Sequence, residues 1–468
     1  MSEHLFLPRT DHQISRRGLL RGGVAAAALV ALSSCDSRGS SPHSAASPHG
    51  AASPQNVHVT HDHYGVHVEP SVAANPRNPR QLLAACQASH TANPQFIATY
   101  LSADGGAAWQ NGGLPPPPAA GPAGDDVTVA FDVHGRGYLC ATRAGNRSYP
   151  NPNANRAVYV WRTDDGGRSF SAPVTLVEAQ YCDHPSMAVG AGQTTSGDNV
   201  YAVWAGGASH TALDLRRSTD GGASFEPPRR ILAEARVPSV ASAGPELATG
   251  PHGLVCAVCD WTTQPGASGD MVGQVVAVCS TDAGHSFAAP VHLGSESAVI
   301  ALPGNVMPNG SPAVAFSPQG DALYVAFVKH RPGATHSDIV VTASHDHGRT
   351  WGRAVAATPA DGVTYFQPNM AVDEEGRVGI SAFALADGRV NQVLLISRPR
   401  RLRFQPPLQV TTTAFNPHSP TTSGGKHGAW WIGDYQGITA SAGAFHLVWN
   451  DTRTGKLELF AATVRPPA

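Results

Sequence analysis

Seven times along the chain an apolar stretch starts near a proline or an acid and runs into small residues. These phrases are Glu69 to Ala73, Asp126 to Ala130, His184 to Ala188, Pro245 to Ala248, Ser311 to Ala315, Gln367 to Ala371 and Asp434 to Gly437. The side chains at or beside the openings are Glu69, Asp125, Asp126, Asp183, His184, Glu246, Gln367, Asp434 and Tyr435. They are the types that move protons, attack electrophiles or hydrogen bond a polar ligand. Carboxylates gathered in one place raise each other's pKa by repulsion, which supplies a general acid at neutral pH. The run His58, His61, Asp62, His63 and His67 draws attention as a metal site, because His61 and His63 would share one face of a strand. Only two ligands would align, and in a chain with 22 histidines the run reads as a polar strand. No HExxH, GxSxG, phosphate-loop or dinucleotide fingerprint occurs, so those hydrolase, kinase and oxidoreductase chemistries have no support, and neither a metal nor a cofactor is expected.

A second pattern shows what could hold the openings in place. Ser102 to Trp109, Thr163 to Phe170, Ser218 to Phe225, Ser280 to Phe287 and Ser344 to Trp351 each have Ser or Thr first, Asp third, Gly fifth and an aromatic eighth. The Asp can accept hydrogen bonds from turn amides, the Gly supplies positive φ, and the aromatic plugs the turn into a core. A sixth, eroded copy keeps Ser397 and Phe404 but has Pro399 and Arg401 where Asp and Gly should stand. The third-position acids Asp104, Asp165, Asp220, Asp282 and Asp346 recur at intervals long enough for four strands with loops.

The eight-residue pattern resembles the Asp-box of the sialidase-type, or BNR-repeat, propellers, whose boxes join the third and fourth strands of a blade away from the central channel. The resemblance runs from about Glu69 to Val464. It implies an all-β propeller of four-stranded blades, seven by count of the phrases, with six, as in the orthodox sialidases, as the alternative. Alternating stretches such as Tyr201 to Trp204, Leu323 to Phe327 and Phe445 to Trp449 read as second strands with one face packed. The last repeat ends after three strands, so Val57 to Thr60 is expected to supply its fourth and close the ring. In a propeller the innermost strands line the channel, so the phrase openings would meet around one mouth as an acidic, hydrogen-bonding funnel.

The sialidase resemblance further implies Tyr435 as a nucleophile activated by Glu246, Asp126 as the acid/base, and an arginine gripping a substrate carboxylate. The chain departs from that family where its Phe/Tyr-Arg-Ile-Pro signature should stand and Val68-Glu69-Pro70-Ser71 is found instead. No arginine triad can be placed either, since Arg143, Arg147 and Arg453 each follow a second strand. The expectation is therefore a mouth that binds an extracellular ligand, a glycan, through Glu69, Asp183, His184, Gln367, Trp430, Asp434 and Arg453. An exo-acting, sialidase-type glycosidase and a structural partner in a cell-surface complex are the alternatives. The segment Trp430 to Gly437, followed by Trp449 to Arg453, resembles the last blade of bacterial BNR-repeat proteins described only as sialidase-like. Trp431 and Trp449 are expected to pack between blades; Trp430 is left open to a sugar face. Asp451-Thr452-Arg453 reads equally as an Asp-capped hairpin.

Composition fits this reading. With 41% hydrophobic and 14% charged residues among 468, the chain can bury a large core, and 49 Gly and 38 Pro suit many tight turns. A net charge of −2 and the lack of a basic stripe argue against nucleic acid. Ser15-Arg16-Arg17-Gly18-Leu19-Leu20-Arg21 and the apolar run Val24 to Leu32 read as a twin-arginine export signal. Leu32-Ser33-Ser34-Cys35 resembles a bacterial lipobox, which implies cleavage before Cys35 and a lipid on its sulfur, tethering the protein outside the cell membrane. Residues 36–55, rich in Ser, Ala, Pro, Gly and His, read as a flexible stalk, leaving 56–468 as the propeller, expected to be a monomer. Beyond Cys35, six cysteines allow up to three disulfides; Cys256 and Cys259 read as packing thiols or disulfide partners.

Overall fold

The computed structural model describes residues 54–467 except for 91–94, 120, 122, 144–155, 192–197, 208–211, 234–238, 242–243, 264–271, 295–296, 299–301, 308–309, 331–335, 420 and 422–429. The export signal, Cys35, the stalk up to residue 53 and Arg147 lie outside the described residues.

Seven antiparallel sheets form the blades of an all-β propeller. Their inner strands are Val66–Asn75, Asp125–Phe131, Asp183–Ala191, Glu246–Gly250, Ala313–Phe316, Thr364–Val372 and Gly437–Ser441 for blades 1 to 7. Each inner strand packs on the next, and the seventh packs on the first. Seven blades, rather than six, are present. Six of the recurring phrases fall in or at the start of inner strands; in the seventh, Asp434, Tyr435 and Gln436 precede the strand.

The second strands carry the core. Asp198–Gly206 of blade 3 is buried along nearly its whole length, with Tyr201, Ala202, Val203 and Trp204 all at most 1% exposed. The single packed face expected from the alternation is thus corrected to two, because each blade is sandwiched between its neighbours. Seven hydrophobic clusters follow, one at each blade junction. Tyr201, Leu213 and Leu215 of blade 3 meet Val255, Trp261 and Val276 of blade 4, and Phe366 and Phe383 of blade 6 meet Phe445 and Trp449 of blade 7. Each such side chain contributes about 1.5–3 kcal/mol on burial.

The ring closes as the sequence implied: Val57 pairs with Ala461 and His58 with Phe460, giving blade 7 its outer strand. The strand is short, and His61, Asp62 and His63 lie beyond it. Asp62 instead organises a buried knot, bonding His67 Nε2 at 3.0 Å and accepting from the Tyr100 hydroxyl at 2.5 Å. The five boxes form one turn. Ser102 Oγ accepts from the Gly106 amide at 2.8 Å, while Asp104 Oδ1 accepts from Ala107 and Ala108 at 2.9 and 3.0 Å. A Cβ on Gly106, at φ +89°, would lie 2.8 Å from Thr463 Oγ1, so both backbone and neighbouring blade require glycine. In the eroded copy a two-residue turn pairs Arg398 with Arg401. Of the cysteines, Cys256 and Cys279 form a cross-strand disulfide in blade 4; Cys86, Cys140, Cys182 and Cys259 are buried free thiols.

Candidate functional site

One backbone device recurs where the inner strands open. Glu69, Asp126, His184 and Gln367 have φ of 59°, 30°, 45° and 50°, and at each of these points the register with the second strand shifts. A left-handed non-glycine residue costs roughly 1–3 kcal/mol, and a bulge re-aims its side chain. The four side chains so turned come from blades 1, 2, 3 and 6, and three of them join one cluster at the channel mouth.

Asp126 and His184 are its centre. His184 Nδ1 lies 3.1 Å from Asp126 Oδ1, and His184 Nε2 lies 3.9 Å from Asp434 Oδ2. The His184 amide donates to Asp126 Oδ2 at 3.3 Å, as does Thr142 Oγ1 at 3.4 Å. Asp434 is held from behind by the Trp431 indole, which donates to Oδ1 at 2.5 Å. The Tyr435 hydroxyl accepts from the Val127 amide at 2.7 Å, pinning the approach to blade 7 onto blade 2. Asp125 accepts from Gln87 Nε2 at 2.9 Å. Asp183 accepts from the Tyr181 hydroxyl at 3.0 Å and pairs with Arg156 at 3.3 Å; the guanidinium also stacks 4.6 Å above the Tyr181 ring. Glu69, only 3% exposed, completes the group from blade 1. Gly433, at φ +91°, lets the chain pass against it, since a Cβ there would lie 3.2 Å from the Glu69 amide nitrogen and 2.6 Å from Asn450 Nδ2.

The electrostatics are those of an over-full acid cluster. Burial, then Asp434, Asp126 and Asp125, push the Glu69 carboxyl well above the usual range. Burial and the neighbours Asp126 and Asp183 push Asp125 up to about 8. Burial alone would lower the His184 imidazole, but Asp126, Asp183 and Asp434 outweigh it and hold the ring well above its ordinary value. Burial, then Glu69 and Asp126, raise the Tyr435 phenol. Two sets of three groups have ligand atoms within 4.8 Å of one another: Asp126, Asp183 and His184, and Glu69, Asp125 and Asp126. Several buried oxygens nearby, among them Gln87 Oε1, Gln367 Oε1 and Asn450 Oδ1, have no donor among the described residues.

The expected residues divide in two. Glu69, Asp126, Asp183, His184, Asp434 and Tyr435 meet, with Asp125. Glu246 sits one blade further on, accepting from Ser186 Oγ at 3.1 Å, with burial pushing its carboxyl up to about 7. It makes no hydrogen bond to Tyr435 among the described residues, because Tyr435 is turned onto Val127 and the acids acting on it are Glu69, Asp126 and Asp125. Gln367 serves as a buttress, its Nε2 donating to the Gly433 carbonyl at 2.5 Å. Trp430 pairs through its backbone with Asn305 and Met307 and lays its ring 4.9 Å from His418. Trp449 is buried between blades and Trp431 packs against the same cluster. Arg453 bonds Asp451 at 2.6 Å, reaches Asn56 Oδ1 at 2.9 Å and lies over Phe460, so it braces the ring closure. Arg143 pairs with Glu178. Among the described residues, Arg156, just before a third strand, does reach the acids, and no motif marks it in the sequence.

No protein-family description matches the chain, and no curated protein matches it either. Solved structures do. An ulvan lyase bound to a GlcA(1-4)Rha3S unit aligns with 85% of this chain and 94% of its own at 13% identity and a TM-score of 0.52. The α-L-arabinofuranosidase of Fusarium graminearum in complex with arabinobiose aligns with 88% and 98% at 13% identity and a TM-score of 0.50. A Hadza microbial sialidase covers 68% of this chain and 63% of its own at 17% identity, with a TM-score of 0.41. At these identities the likeness is one of fold.

Proposed function

We propose that this is an exported, lipid-anchored propeller that binds a carbohydrate of the extracellular space at its channel mouth. The observation that carries the reading is the convergence of Glu69, Asp125, Asp126, Asp183, His184 and Asp434 from blades 1, 2, 3 and the lead into blade 7 around one opening. Partly exposed carboxylates and an imidazole, as at Asp125, Asp183, His184 and Asp434, suit the bidentate hydrogen bonding of sugar hydroxyls. That similarly folded proteins act on arabinose- and uronate-containing glycans makes carbohydrate the first ligand class to test. The acidic balance, with Arg156 already paired to Asp183, favours a neutral sugar over a carboxylated one.

A hydrolytic reading is kept alive by one observation: Glu246, with its carboxyl near 7, could donate a proton to a leaving group. The full chain should be screened on an array of neutral, amino and acidic glycans and assayed with a matching panel of fluorogenic glycosides. Capture without turnover, lost in Asp434→Ala, is the expected result. Turnover lost in Glu246→Gln would replace the binding reading with the hydrolytic one, and no capture of any glycan would sink both. Anchoring is checked separately by palmitate incorporation, which should disappear in Cys35→Ser.

A further inference from the structure

We propose that a divalent cation of the calcium type binds at the channel mouth between the carboxylates of Glu69, Asp125 and Asp126. Oxygens from all three lie within 4.8 Å of one another, a spacing that small side-chain adjustments bring to the 2.3–2.6 Å that calcium takes from a shared point. Glu69 comes from blade 1 and the two aspartates from blade 2, so the ion would tie adjacent blades together.

Two further observations point to a missing positive partner. Glu69 is only 3% exposed and its carboxyl makes no hydrogen bond among the described residues, so its ionised form is costly beside Asp125 and Asp126 unless something cationic compensates it. Behind Asp125, Gln87 is equally buried; its Nε2 orients the Asp125 carboxylate, while its Oε1 is left without a donor. Among the described residues, the cations at the cluster are already engaged: His184 with Asp126 and Asp434, Arg156 with Asp183. A ligand set of oxygen alone favours a hard ion over zinc or copper. Bound through one oxygen each, three carboxylates fill at most half of a six- to eight-oxygen calcium shell, which leaves positions for water or for ligand hydroxyls. The site does not depend on the ligand being a sugar and stands or falls separately from the proposed function.

The test uses the full chain stripped with EDTA and titrated with calcium chloride, read by isothermal titration calorimetry and by the thermal midpoint. One calcium per chain and a rise of several degrees in the midpoint are expected. Glu69→Gln and Asp125→Asn should each weaken calcium binding at least tenfold, while Asp104→Asn, in a box turn, should leave it unchanged. If one mouth variant does not fold, the other carries the comparison, and the wild-type stoichiometry stands by itself. The proposal is overturned by an absence of calcium binding in the wild type, by binding that both mouth variants retain, or by zinc displacing calcium at equal concentration, which would move the ion to Asp126, Asp183 and His184.

Discussion

The same residue, aspartate, does opposite work at the two ends of a blade. In the box of blade 2, Asp165 accepts from Thr163 Oγ1 at 2.8 Å, from the Arg168 and Ser169 amides at 2.9 and 3.0 Å, and from Ser169 Oγ at 2.6 Å. Burial would raise its carboxyl, but these donors outweigh burial and hold it at about 2. At the mouth, Asp125 of the same blade has Gln87 as its side-chain donor and sits at about 8. The box spends its carboxylate on the turn it closes, so nothing is left for a ligand. The mouth crowds acids together until burial and mutual repulsion disfavour the charged forms of Glu69 and Asp125, at or beside positions where the backbone is also left-handed, and that is where binding energy can be released.

The largest test of this contrast is on the scaffold side. A Cβ on Gly348 in the box of blade 5, where φ is +87°, would lie 2.4 Å from Cys279 Sγ, inside the disulfide of blade 4. Gly348→Val should cost roughly 2–4 kcal/mol, from left-handed strain plus overpacking, and shift the urea midpoint accordingly. Ligand affinity of the folded fraction should not change; if it does, box and mouth are not independent.

The next effect has the opposite sign. The folded-state carboxyl of Glu246, at about 7, lies above its ordinary value of 4.5. Its contribution is therefore full below pH 4.5 and is lost as pH rises through 7, because burial disfavours ionisation by more than the Ser186 hydrogen bond and the His184 charge favour it. Glu246→Gln should match the wild type at pH 4 and exceed it at pH 8 by roughly 1–3 kcal/mol. Thermal melts across that range check it, and parallel curves would mean that the carboxyl is solvated. Smaller again is Asp165→Ala, which frees two amides and two hydroxyls on a surface turn and should cost about 1–2 kcal/mol at every pH above 4, read by the urea midpoint.

Much of this division can be read in the sequence, for a physical reason. A box is local: its Ser, Asp, Gly and aromatic all lie within eight residues, so composition and spacing suffice to place it, and its repetition counts the blades. The phrase openings are local too, which is why Glu69, Asp126, His184 and Asp434 could be grouped before their contacts were known. What spacing cannot carry is the register between distant strands. Tyr435 lands on Val127 across 308 residues, and only the closed ring decides that it meets blade 2 rather than Glu246 of blade 4. Cys279 pairs with Cys256, not with another thiol, because the second and third strands of blade 4 place them directly opposite. Arg156 joins the acids from a third strand whose sequence, Ala157 to Thr163, reads as core. The bulges at Glu69, His184 and Gln367 did leave a trace, since each precedes a proline that cannot donate to the ladder.

Trp430 sits on the border between the two regimes and gives the smallest expected effect. Its ring is half-buried against His418, which in turn bonds the Gly304 carbonyl at 2.8 Å, and its backbone pairs with Asn305 and Met307. Those backbone bonds survive truncation, so Trp430→Ala should cost no more than about 1 kcal/mol of stability, the worth of one partly exposed aromatic contact. If the glycan lies wholly within the acid cluster, affinity is unchanged and the residue belongs with the scaffold. If affinity falls severalfold while the melt stays put, the binding surface extends from the carboxylates onto the strip carried by Asn305, His418 and Trp430, and the line between a satisfied framework and an unsatisfied mouth must be redrawn to include an aromatic platform.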